Sequence, residues 1–115
     1  MSNANRAIQA YKSASRLRSQ RDQEADAFRQ AVAGLRNARS STAIQKVRAL
    51  ADNRRLWMMV HDLMRHPDNA LPAPLRASII SVSLSVQREM DRDAPDFDFL
   101  IGINEHMAAG LAGQP

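Results

Sequence analysis

At 115 residues, 44% of them hydrophobic and 24% charged, the chain is sized for one modest core and is too short for two. It has no cysteine, which excludes disulfides, thiolate nucleophiles and cysteine-based zinc sites. The net charge of +4 hides a division: residues 1–55 hold twelve Lys and Arg against four acids, and residues 56–115 hold four against eight. Large apolar residues divide the other way, ten against 22, and this predicts that the second half supplies most of the core. No apolar run is long enough to cross a bilayer, and the first ten residues lack the apolar stretch of a signal peptide, so a soluble, cytoplasmic protein is expected.

Residues 1–19 read as a weakly held N-terminal helix, with Ala4, Ile8, Tyr11 and Ser15 on one face. A helix this short is marginal in water, so it either docks through Ile8 and Tyr11 or frays. Residues 20–113 read as a helical bundle. Its first helix, about residues 21–38, puts Ala25, Phe28, Val32 and Leu35 on one face. Asp22, Glu24 and Asp26 sit in its first turn and Arg36 and Arg39 at its end, an order that complements the helix dipole. Ser40-Ser41-Thr42 then offers an N-cap, and Ile44, Val47, Leu50, Trp57, Val60 and Met64 keep helical spacing as far as Arg65. Unbroken, that helix is roughly 36 Å long; Asp52-Asn53 is the place for a kink.

His66-Pro67 stops it, because the residue before a proline is pushed out of the helical region. After the turn Pro67-Asp68-Asn69, the stretch Leu71-Pro72-Ala73-Pro74 suits a helix start. The result is a central helical hairpin around the only tryptophan. The next helix, about residues 74–91, presents Leu75, Ile79, Val82, Val86 and Met90, with Ile80 and Leu84 as a second stripe, and a face that wide needs contacts on two sides. Residues 91–95 break it. Asp96 can cap a last helix bearing Phe97, Leu100, Ile101, Asn104, Met107 and Leu111, closed by Gly110 or Gly113. The expected fold is all-α, a single-domain bundle of about five helices.

Catalytic and metal chemistry find little support. His61 and His66 are five apart, which is not the four-residue step that aligns two ligands on a helix, and His106 stands alone. Asp91, Asp93, Asp96 and Asp98 surround Pro95 and lack the central glycine and terminal glutamate of a calcium loop. With no nucleophile elbow and no phosphate-cradling glycine loop, neither enzyme activity, a cofactor nor a small-molecule substrate is expected. The basic half makes nucleic acid a candidate partner through Arg16, Arg18, Arg21, Arg36 and Arg39, although these are spread around their helices and no known motif contains them. Met58, Met59, Met64, Met90 and Met107 either fill core gaps or line a groove that repacks around an amphipathic partner helix. The thin apolar cover available from residues 1–38 favours a strip left exposed for such a partner.

Three stretches carry a resemblance. Asn53-Arg54-Arg55-Leu56-Trp57 comes first, then residues 69–77 (NALPAPLRA) with Ile79-Ile80-Ser81, then Leu100-Ile101-Gly102-Ile103-Asn104 with Gly110-Leu111. In this order and spacing, with Ala10-Tyr11 opening the first helix, residues 11–111 resemble the FlaF family of flagellar biosynthesis regulators from alphaproteobacteria. Gly102 departs from the pattern, standing where an acid is common, and the second helix lacks a proline often found near its start. The resemblance implies a small helical protein without enzymatic activity, needed for flagellin production or export. It also implies action alongside the FlbT regulator and chaperone-like engagement of flagellin itself. Candidate partner-binding residues are then Arg54, Trp57, Arg76, Ile80, Leu84 and Asn104, with a core role the favoured reading for Trp57. For Asn104, internal hydrogen bonding is the favoured reading. Tyr11, Asn69, Leu71, Pro72 and Leu111 are the structural residues of the motif. The alternative function is post-transcriptional, with the basic half contacting flagellin mRNA.

Overall fold

Caps, prolines and helix-forming residues divide this chain into four helices. The computed structural model describes residues 2–113, and within them α1 spans Asn3–Ala38, α2 Ala43–Arg65, α3 Ala73–Met90 and α4 Phe97–Leu111. The class is all-α and single-domain, but the expected helix count of about five is corrected to four. The two helices anticipated within residues 1–38 are one helix of 36 residues. The apolar rhythm does pause around Ser19-Gln20-Arg21-Asp22, yet every residue there tolerates a helix and no glycine or proline interrupts it. A pause in burial is not a break in backbone. Residues 3–19 are thus the leading half of α1.

Each helix start has its own physical cause. Ser2, Thr42 and Asp96 accept from the backbone N–H three residues on, at 3.3, 3.2 and 3.1 Å, satisfying donors that the first turn leaves orphaned. For α3, Pro72 is the N-cap and Pro74 occupies the first turn, where its missing N–H is harmless. His66 ends α2 in an extended conformation (ψ 133°) ahead of Pro67. Gly113 follows α4 at φ 72°, a left-handed position that suits glycine.

The α2–α3 hairpin is held by side chains reaching its backbone. Asn69 Nδ2 donates to the Leu63 carbonyl at 2.8 Å while its Oδ1 accepts from Leu71 N–H at 2.9 Å. Arg76 Nε donates to the Leu71 carbonyl at 3.0 Å. Replacing Asn69, itself half-buried in an otherwise exposed turn, by alanine removes two of these bonds. The expected loss is about 1–2 kcal/mol. Urea unfolding should show it as a lower midpoint with unchanged slope, whereas an unchanged midpoint would mean that the turn is set by Pro67 and Pro72 alone.

Helix α1 packs chiefly on α4 and secondarily on α2, while α2 packs on α3. Where these meet lie Phe28 and Leu35 from α1, Trp57 and Val60 from α2, Val86 and Met90 from α3, and Leu100, Ile101 and Ala108 from α4. Three ion pairs then explain the uneven charge. Arg36 meets Glu105 at 2.8 Å, Arg39 pairs with Asp98, and Arg54 meets Asp91 at 2.9 Å, so basic α1 and α2 are stitched to the acidic second half. All three are solvent-exposed enough that each contributes roughly 0–1 kcal/mol; they favour the correct pairing of helices more than they stabilise it.

Candidate functional site

Trp57 is the hub from which the candidate residues can be located. Its ring meets the Phe28 ring edge-on at a centroid distance of 5.6 Å. Its indole N–H donates to Asn104 Oδ1 at 2.8 Å, and the Asn104 amide donates onward to Asn53 Oδ1 at 2.7 Å. The Asn53 amide ends the chain on Met90 Sδ at 3.3 Å. An indole can only donate, so it fixes which end of Asn104 faces it and, in turn, the orientation of Asn53. Ser83 completes the hub, its hydroxyl donating to the Trp57 carbonyl at 3.3 Å and accepting from Gln87. Trp57 thereby touches all three other helices.

Asn53, Trp57, Ser83 and Asn104 are each 0% exposed. Trp57 and Asn104, named above among partner-binding candidates, therefore face each other inside the bundle and present nothing to a partner. The physical reason is reciprocal: each supplies the hydrogen bond that the other needs once water is excluded. The network also contains Ser83, which sequence reasoning does not single out, and Asn53, which it marks as a motif residue and a place for a kink but not as a core amide. Asn53 lies four residues before Trp57, on the stripe that continues through Val60 and Met64. A polar residue in register with a buried tryptophan is the signal for a core amide, and α2 runs through it unbroken.

The other candidates separate. Arg54 pairs with Asp91 beside the α3–α4 turn, and Arg76 is committed to the hairpin backbone. Ile80 is half-buried and Leu84 exposed, both on α3. These four do not converge with Trp57 and Asn104 on one surface. Among the motif residues, Tyr11 is exposed on α1, Leu111 is half-buried at the end of α4, and Leu71 projects from the hairpin. Of the basic set, Arg36 and Arg39 are spent on ion pairs, while Arg16, Arg18 and Arg21 lie on the leading half of α1.

Exposed apolar side chains occur in both halves. Ile8, Tyr11, Leu17, Ile44 and Val47 are exposed as well as Met58, Met59, Leu63, Leu75 and Leu84. The methionines divide accordingly: Met90 is core, Met64 and Met107 are half-buried, and Met58 and Met59 face solvent. Where apolar residues converge is a groove at one end of the bundle, lined by Leu71, Leu75 and Ile79 on one side, Met107 and Leu111 on another, and Arg21 of α1. Leu71 and Leu75 are 37% and 46% exposed there. Sequence periodicity places these residues on their helices but does not reveal that three separate elements meet. Among the described residues no group of three metal-ligating side chains comes together, and no helix is long and apolar enough to cross a membrane.

Neither the curated proteins nor the solved structures offer a significant match to this chain. A family model does, that of flagellar protein FlaF, over residues 7–111. That span runs from the exposed leading half of α1 through the Asn53–Trp57–Asn104 network to the last residue of α4, and on it this chain belongs to the FlaF family of flagellar proteins.

Proposed function

We propose that this protein is a non-enzymatic regulator of flagellin synthesis or export that binds flagellin before assembly, in the cytoplasm, as a chaperone-like partner. The observation that carries this reading is the apolar groove at Leu71, Leu75 and Leu111, left open although the core around Trp57 is complete. A groove of that kind suits the apolar face of an amphipathic helix, and FlaF membership supplies the flagellar context. Ordering a flexible guest segment offsets part of the gain, which keeps affinity moderate and release easy. The FlbT regulator would act on the same complex.

Titration calorimetry with flagellin from the same organism should show a complex at micromolar concentrations. No heat and no co-elution at those concentrations would overturn the reading. If the protein instead bound the flagellin mRNA leader, with affinity collapsing as salt rises, the post-transcriptional alternative through Arg16, Arg18 and Arg21 would replace it.

A further inference from the structure

The face of α1 that covers the bundle does not stop where the bundle does. Phe28 and Leu35, buried on this face, are seven residues apart, and Arg21 lies seven before Phe28. Leu17, Ala14 and Ala10 continue the same line at steps of four, three and four. Helix α4 runs antiparallel along it, from Asp98 beside Arg39, past Glu105 beside Arg36, to Leu111 and Gly113 beside Arg21. There α4 ends, while α1 continues for another 18 residues, about 27 Å of helix. Among the described residues none before Ala25 is buried, and Leu17 is exposed.

We propose that this step, with the groove as its floor and the leading half of α1 as its wall, seats a single amphipathic α-helix whose flank carries acidic residues. The proposal rests on the flagellin-binding reading and deepens it by naming the surface and the charge of the bound segment. Continuity supplies the first argument: a guest helix laid beyond Leu111 extends the interface that α4 already makes with α1, against a wall whose small residues Ala10 and Ala14 permit close approach. Charge supplies the second. From residue 3 to 21 the chain carries Arg6, Lys12, Arg16, Arg18 and Arg21 with no acid, and none of these makes an ion pair among the described residues. A second copy of this chain is disfavoured as occupant, because pairing two such walls would bring like charges together. The floor is also open at Gly110, where an added Cβ would meet nothing within 4 Å.

The last fact makes Gly110 the place to add a side chain that fills the groove, with helical circular dichroism and an unchanged melting midpoint as the check that the variant folds. The probes are two synthetic amphipathic peptides with identical leucine faces, one flanked by glutamate and one by lysine, and full-length flagellin. The glutamate peptide should bind at least tenfold more tightly than the lysine peptide. Gly110→Trp should weaken it tenfold or more, Arg18→Glu/Arg21→Glu should narrow the preference to a few-fold, and Ile44→Glu at the opposite end of the bundle should change nothing. Equal binding of the two peptides, binding of neither, or no effect of Gly110→Trp overturns the proposal, as does a dimer that Gly110→Trp converts to monomer. Flagellin binding that survives Gly110→Trp sinks this surface while leaving the proposed function intact. Peptide binding without flagellin binding does the reverse.

Discussion

Trp57→Ala is expected to leave most molecules unfolded at room temperature in mild urea. Removing a fully buried tryptophan costs about 3–5 kcal/mol in transfer and cavity terms. It also strands Asn104 Oδ1 in a dry interior, which adds about 1–3 kcal/mol. A domain of this size has only about 5–15 kcal/mol in total, so the loss consumes most of it. The indole is the sole tryptophan, so its fluorescence vanishes with the mutation and helical circular dichroism must report the transition. Trp57→Phe separates the contributions: it keeps an aromatic ring against Phe28 but strands Asn104 Oδ1 as alanine does, so its cost should fall below that of alanine by most of the packing contribution. If the two variants were equally destabilised, the hydrogen bond to Asn104 would dominate over packing, contrary to the area Trp57 buries.

The centrality of Trp57 could be read from the sequence because the signals were local. It sits on an apolar stripe of even spacing, and proline and asparagine mark the hairpin that follows it, so the end of α2 and the start of α3 emerge within a residue or two of their expected places. Two things are harder to read. Periodicity reports burial, and residues 3–24 are helical without being buried, so spacing alone splits α1 in two. The core role of Asn53 is hard to read because its partners, Asn104 and Met90, lie 51 and 37 residues away, and its register with Trp57 is the one local sign of it. The groove belongs to the same class. Leu71, Met107 and Arg21 become neighbours only through the length of α4 and the angle of the hairpin, neither of which is encoded at those residues. Ion pairing explains the charge division in retrospect, yet the unpaired cations on α1 are visible only once the paired ones are known.

Asn104→Asp should convert the buried network into a pH-dependent one. The substitution changes one atom and almost no volume. When the new carboxyl is protonated, its carbonyl oxygen still accepts from the Trp57 indole and its hydroxyl donates to Asn53 Oδ1, in place of the amide that does so at 2.7 Å in the native chain. When it ionises, the second oxygen confronts Asn53 Oδ1 with no proton between them, in a site that is 0% exposed. Desolvation therefore pushes the folded-state pKa of the carboxyl above its unfolded value of about 3.9. In the window between the two, the folded state binds more protons than the unfolded one, so stability falls as pH rises. The difference in unfolding free energy between variant and wild type should be small below about pH 4, then grow by about 1.4 kcal/mol per pH unit until the folded pKa is passed. Comparing the two proteins at each pH cancels the titration of the surface acids they share. At pH 7 the penalty should amount to several kcal/mol, enough to broaden or abolish the unfolding transition. A penalty that stayed constant from pH 4 to pH 8 would show that water reaches Asn104, and the dry network around Trp57 would then no longer account for how the four helices are held in register.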